Sequence, residues 1–298
     1  MQIATYPAPA CGGHSAAIRE ALLPRRASLF GFCCNHHFLL CFLKFTITTS
    51  CNLEQVKEER NVRICGLQKL SMVDYPGKLA ATVFTGGCNL RCPFCHNALL
   101  VTRLAESPAL TEQDVLNFLS TRRGLLDGVV LSGGEPLLHP GAADFLAAVR
   151  DMGFAVKLDT NGFYPQALKE ILDRGLADYV AMDIKNCPAR YGETCGVPGL
   201  DAGPVEESLR LLIGSGVDFE LRTTLVRELH TAEDLAAMGR WVAGFFPEGR
   251  TPRFFLQKFV DSGNLIAGGC HGFSDVEMAA LSEILRPFLP RAELRGVE

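Results

Sequence analysis

The chain has 298 residues, with 29 Lys and Arg against 33 Asp and Glu, a net charge of −4 and 21% charged residues. That balance excludes a basic footprint for nucleic acid, and the length suffices for a full hydrophobic core in one large α/β domain or two small ones. Its 12 cysteines do not make a disulfide scaffold in a chain this long. Cys88, Cys92 and Cys95 lie so close together that they point instead to reduced thiols and a cytoplasmic metal or redox site.

The first sixty residues are unlike the rest. They hold Cys11, Cys33, Cys34, Cys41 and Cys51, and an apolar stretch interrupted by Asn35, His36, His37 and Lys44. A membrane-spanning helix needs about 20 mostly apolar residues without such breaks, so no membrane association is expected. Arg25 and Arg26 before Leu29–Phe32 only mimic a signal peptide. The Cys33, Cys34, His36, His37 and Cys41 group lacks the paired spacing of a zinc site. Residues 1–60 are read as an extension without a stable fold, from an upstream start codon, and 61–298 as the functional domain.

From Asn61 onward a two-beat pattern runs to the end. GLQKLSMVDYPGKLAATVFTGG opens it, with a turn at DYPG (Asp74–Gly77) before the first strand. Apolar runs of strand length occur at Leu79–Phe84, Gly128–Leu131, Ala155–Leu158, Tyr179–Ile184, Phe219–Leu225 and Phe254–Phe259. Helical periodicity fills Thr111–Arg123, Ala142–Met152, Pro165–Arg174, Val205–Ser215, Ala232–Phe246 and Ser274–Leu289. Thr111 and Ser274, each followed by acidic residues, resemble N-caps, and Gly153, Gly175 and Gly216 fall where helices should stop. Six strands alternating with six helices mean parallel βαβ units, in a doubly wound sheet or a partial barrel. In either, functional residues gather at the carboxyl ends of the strands.

Those ends are polar throughout. The first carries the cysteines, the second Ser132-Gly133-Gly134-Glu135-Pro136, and the third Asp159-Thr160-Asn161-Gly162. The fourth carries Asp183-Ile184-Lys185, the fifth Arg222-Thr223-Thr224 and the sixth Gln257-Lys258. The C-x3-C-x2-C spacing lets three sulfurs from one loop reach three corners of an iron–sulfur cubane, leaving the fourth corner without a protein ligand. A zinc site would need His96 as its fourth ligand, yet adjacent residues rarely reach one ion from the same side. Neither phosphate-loop glycine pattern is present.

C-x3-C-x2-C after a first strand, with Phe94 before the last cysteine and Gly-Gly-Glu after the second strand, resembles the radical S-adenosylmethionine (SAM) superfamily. The resemblance implies a partial (β/α)6 barrel. It also implies a [4Fe–4S] cluster on Cys88, Cys92 and Cys95, with SAM completing the fourth iron. Over Gly66–Leu265 the chain resembles, more closely, the anaerobic ribonucleoside-triphosphate reductase activating proteins among the glycyl-radical-enzyme activases. These cleave SAM reductively to methionine and a 5′-deoxyadenosyl radical, which takes a hydrogen from a glycine of the partner.

Carried over by position, Phe94 would contact adenine, and Gly133, Gly134 and Glu135 the methionine amino group. Asp159, Asn161 and Asp183 would meet polar groups of the cofactor. Lys185 would offer a cation to the methionine carboxylate, Arg222 would reach the carboxylate or ribose, and Gln257 the adenosyl group. The resemblance implies the reductase catalytic subunit as partner and flavodoxin or ferredoxin as reductant.

Read without it, Asp159 is a helix cap, Lys185 and Arg222 are rim charges, and His96, His139, His230 and His271 lie at the surface or face a partner. The span from Cys95 to Gly133 leaves no room for an inserted ferredoxin-like segment. Cys187, Cys195 and Cys270 read as free thiols. A small-molecule radical enzyme and a non-enzymatic zinc or cluster module are the competing readings.

Overall fold

The computed structural model describes residues 61–107, 110–247 and 250–297. The extension expected over 1–60, with its cysteine–histidine group, lies outside the described residues. Two strands lead, β1 (Ile64–Ser71) and β2 (Ala80–Thr85), followed by α1 (Ala98–Thr102) and α2 (Glu112–Ser120). Then come β3 (Gly128–Gly133), α3 (Ala142–Asp151), β4 (Ala155–Thr160), α4 (Pro165–Asp173) and β5 (Tyr179–Asp183). The chain continues through α5 (Tyr191–Thr194), α6 (Gly203–Ser215), β6 (Asp218–Leu225) and α7 (Ala232–Ala243). It finishes with β7 (Arg253–Lys258), α8 (Asp275–Leu285) and β8 (Ala292–Arg295).

All eight strands form one sheet in sequence order; β1 pairs antiparallel with β2 and every later pair is parallel. Strands β2 to β7 and their helices are the six-unit partial barrel expected from sequence. Val129, Val130 and Leu131 are fully buried along β3. A strand covered on both faces by barrel interior and outer helices requires such a continuous apolar run. Tyr75, from the DYPG turn, packs with Ala80, Val130 and Tyr179. It thereby fills the interior at the amino ends of β2 and β5 and leaves the opposite ends for a cavity.

Thr111 and Ser274 each form a capping box, with Asp114 and Glu277 respectively. Thr231 and Asp234 form a third at the start of α7. Gly153, Gly175 and Gly216 adopt positive φ where their helices stop.

Two strands were not legible. In β1 the polar Gln68 and Lys69 sit on an edge that only β2 covers. The four-residue β8 (AELR) has hardly any apolar run; Arg295 anchors it through two bonds to Glu220 (2.7 and 2.8 Å) and by stacking 3.3 Å over the Phe255 ring.

Candidate active site

Two loops zip together at the carboxyl ends of β2 and β3. Thr85 pairs in register with Gly133. Beyond it the Gly134 N–H donates to the Thr85 carbonyl (2.9 Å) and the Glu135 N–H to the Gly87 carbonyl (2.8 Å). A side chain on Gly134 would run into the Gly87 carbonyl, and one on Gly133 (φ 119°) into the Thr85 backbone. The two glycines are therefore required first for the approach of one loop to the other. Asn97 Nδ2 donates to the Gly133 carbonyl (2.9 Å), and the His139 ring bonds the Gly86 carbonyl (2.9 Å).

The loops frame a cavity of about 230 Å³. Cys88, Cys92, Cys95 and Phe94 line it with Gly133, Gly134, Asp159, Asn161, Asp183, Lys185, Arg222 and Gln257. Phe94 is fixed edge-on against Phe259 at 6.4 Å. Asp159, Asp183, Lys185 and Arg222 of this lining belong to a chain of alternating charges across β4, β5 and β6. Lys157 Nζ meets Asp159 (2.5 Å), Arg222 lies 3.5 Å from Asp159 and 2.9 Å from Asp183, and Lys185 Nζ is 2.9 Å from Asp183. Asp183 and Arg222 are register partners on β5 and β6, which is why they meet.

Burial pushes the Asp183 carboxyl up, but the Arg222 and Lys185 cations outweigh it and hold it at about 2. Burial likewise works against the charge on Lys185, and Asp183 more than compensates. The side chains of Lys185 and Arg222 are only 18% and 14% exposed, so they are not rim charges, and Asp159 caps no helix. Three cations and two carboxylates alternate here, and Glu220 adds to the negative charge acting on Arg222.

Glu135 departs from expectation. It is fully buried and is absent from the cavity lining. Its carboxylate accepts from Leu137 N (3.0 Å), Thr160 Oγ1 (2.8 Å) and Asn161 N (2.7 Å), tying the β3 loop to the β4 loop. Two of these donors serve Oε1 and one serves Oε2, so the carboxylate is engaged with protein groups between the two loops. Burial pushes this carboxyl up to about 7 against the pull of those donors.

Histidine placement also differs. His96 and His271 are exposed as expected, and His139 is half-buried, but His230 is only 2% exposed. The Val226 N–H donates to His230 Nδ1 (3.1 Å), so the ring proton sits on Nε2 and is donated to the Lys185 carbonyl (2.8 Å). The Lys185 N–H donates to the Tyr191 hydroxyl (3.2 Å). Lys185 is thus gripped on both sides of its backbone.

Sequence reasoning gave no cofactor role to five polar lining residues, His96, Asn97, Ser132, Thr160 and Thr224. Ser132 Oγ donates to Asp159 (3.0 Å) and Thr224 Oγ1 to Gln257 (3.4 Å). Thr224 shares a strand face with Arg222 by the two-residue period, a signal that was available.

Cys88, Cys92 and Cys95 are free thiols in the cavity lining. Burial pushes Cys88 up to about 12 and raises Cys95, so these sulfurs keep their protons unless a cationic centre replaces them. Leu90 N (3.4 Å) and Asn161 Nδ2 (3.7 Å) already donate to the Cys88 sulfur. Among the described residues no three His, Cys, Asp or Glu side chains gather as ligands of a single metal ion. His96 bonds the Val260 carbonyl (2.8 Å) and stacks on Phe259. Three soft, largely buried sulfurs from one loop fit the ligand set of an iron–sulfur cluster.

Residues 82–241, more than half of the chain, match the radical SAM superfamily. The chain belongs to this superfamily. Radical SAM enzymes work with a [4Fe–4S] cluster and SAM, and this chain is an enzyme of that class. It is 34% identical over 183 residues to a candidate glycyl-radical enzyme activating enzyme of Methanocaldococcus jannaschii, spanning 60% of this chain and 75% of that one. It is 30% identical over 177 residues to the pyruvate formate-lyase-activating enzyme of Clostridium pasteurianum, spanning 58% and 72%. These likenesses place it among the glycyl-radical-enzyme activases. The structure of Streptococcus suis SuiB bound to S-adenosylmethionine shares the fold, with a TM-score of 0.53, 16% identity, and coverage of 70% of this chain and 48% of SuiB. Among the described residues no helix is long and apolar enough to cross a membrane.

Proposed function

We propose that this radical SAM enzyme installs a glycyl radical on an anaerobic ribonucleoside-triphosphate reductase, with Cys88, Cys92 and Cys95 holding the cluster. The observation that carries the site assignment is one cavity lined both by three free thiols and by charged residues of an alternating chain. The reductase target rests on the resemblance of Gly66–Asn97 to the activating proteins of that enzyme. Held by Cys88, Cys92 and Cys95, a [4Fe–4S] cluster would supply the electron for reductive cleavage of SAM.

The chain's own residues bind and orient. Within the Lys157–Asp159–Arg222–Asp183–Lys185 array, Lys185 and Arg222 would take the methionine carboxylate as charged donors. Gly133 and Gly134 present backbone to the methionine amino group, and Asp159, Asn161 and Asp183 set the polar floor. Phe94, held edge-on by Phe259, offers its ring and backbone to adenine, and Gln257, bonded by Thr224, faces the adenosyl end. Glu135 contributes by fixing the Asn161 and Leu137 backbones. Reduced thiols fit a cytoplasmic setting with flavodoxin or ferredoxin as electron donor.

The test is electron paramagnetic resonance after anaerobic mixing with SAM, reductant and either the reductase or pyruvate formate-lyase. The reading expects the glycyl radical doublet on the reductase. A doublet on pyruvate formate-lyase alone would overturn the assignment of target.

A further inference from the structure

A buried lysine stands one layer below the cavity. Lys157, in the middle of β4, has a side chain only 3% exposed and does not line the cavity. Its neighbours by register are Val130 on β3 and Tyr179 on β5, both packed around Tyr75 at the closed end of the barrel. An ammonium group buried there carries a desolvation cost that a methionine of similar length would not. Its charged partner is Asp159, two residues along the same strand face, whose Oδ1 it meets at 2.5 Å.

The two oxygens of Asp159 are unevenly shared. Oδ1 goes to Lys157 and Oδ2 takes Ser132 Oγ at 3.0 Å, while Arg222 Nη1 stays 3.5 Å away. Arg222 is held instead through Nε, which donates to Asp183 at 2.9 Å. Glu220, the next acid on that face of β6, is taken by Arg295 and the Tyr179 hydroxyl. Among the described residues, the terminal nitrogens of Arg222 donate no hydrogen bond, and Arg222 lines the cavity.

We infer that Lys157 is a positioning residue: by holding Asp159, it keeps the Arg222 guanidinium open for the carboxylate of SAM. The inference rests on the proposed reading of Arg222 as a donor to that carboxylate. A carboxylate as deep as Asp159 needs a cation, and Lys157 is one that is not offered to the cavity. Without Lys157, the cation left beside Asp159 is Arg222. Closing that 3.5 Å gap would make Asp159 a competitor for the guanidinium that SAM needs. Lys157 acts through Asp159 and Arg222, from outside the cavity lining.

The experiment is equilibrium binding of SAM to the reconstituted full chain, without reductant and at equal iron and sulfide per chain. Lys157→Met is expected to weaken SAM about tenfold, the loss of one charge-assisted hydrogen bond to the carboxylate. Decarboxylated SAM is the control for a structural effect. It lacks the group that Arg222 would take, so wild type and Lys157→Met should bind it alike. In an Arg222→Gln chain, adding Lys157→Met should cost nothing further. Unchanged SAM affinity in Lys157→Met, an equal loss for both ligands, or additive losses in the double variant would overturn the inference.

Should the methionine variant fail to take up a cluster, Lys157→Arg decides. It keeps a cation beside Asp159 and should bind SAM within about threefold of wild type, whereas a loss of about tenfold at full cluster content would overturn the role. Arg222→Gln alone separates the two layers. Undiminished SAM affinity in that variant removes the carboxylate reading. A loss there, with unchanged affinity in Lys157→Met, removes only the role of Lys157.

Discussion

Glu135→Gln tests whether the Gly-Gly-Glu segment works by holding loops together. In the wild type the buried carboxylate serves three donors, Leu137 N, Thr160 Oγ1 and Asn161 N. Glutamine keeps the shape but turns one oxygen into a donor. With its NH2 toward the Thr160 hydroxyl and its oxygen toward Asn161 N, the Leu137 N–H loses its acceptor. One buried donor left unpaired costs about 2 kcal/mol.

The pH dependence is more diagnostic. Burial raises the folded-state value of Glu135 from 4.5 to about 7. Below 4.5 both folded and unfolded chains hold this proton and its contribution is intact. As pH rises from 4.5 toward 7 the unfolded chain ionises first, and stability drains away by about 1.4 kcal/mol per pH unit, about 3 kcal/mol in all. Glutamine cannot titrate, so wild type loses that amount of stability relative to the variant over the window. Anaerobic urea unfolding of the cluster-free chain at several pH values between 4.5 and 8 measures it. Parallel pH profiles for the two proteins would refute the reasoning and show that the three donors outweigh burial.

Gly134→Ala places a methyl group against the Gly87 carbonyl; forcing the cysteine loop off the β3 loop should abolish cluster incorporation, read as iron and sulfide per chain. His230→Phe removes the donor to the Lys185 carbonyl. At about 1–2 kcal/mol for that bond, SAM affinity in equilibrium binding should fall about 5- to 30-fold while cluster content stays at the wild-type level. Thr231→Ala deletes the α7 capping box and should cost about 1 kcal/mol in the same urea assay, with no change in SAM affinity.

Most of the barrel was legible because its strands are buried on both faces. Runs such as Val129–Leu131 and Tyr179–Met182 admit no other reading once helical stretches separate them. The edge strands were not, because an edge needs no continuous apolar run. β1 carries Gln68 and Lys69, and β8 is held by an arginine clamp rather than by its own hydrophobicity.

The site was legible at the strand ends, where Asp159, Asp183, Lys185 and Arg222 have no reason to be charged unless they meet. What sequence could not show was which way a side chain turns. Glu135 follows two glycines whose backbone faces the cavity, yet its own carboxylate points beneath the loop toward Thr160 and Asn161. His230 was equally hidden. Its partner, Lys185, is distant in sequence and meets it only through the packing of the loop after β6.

The most direct test of the site is the electron paramagnetic spectrum of the reconstituted, reduced chain, recorded with and without SAM. The account predicts a [4Fe–4S] signal whose g-values shift when SAM is added, and loss of that signal in Cys92→Ala. A spectrum indifferent to SAM, or a cluster retained in full without Cys92, would contradict it.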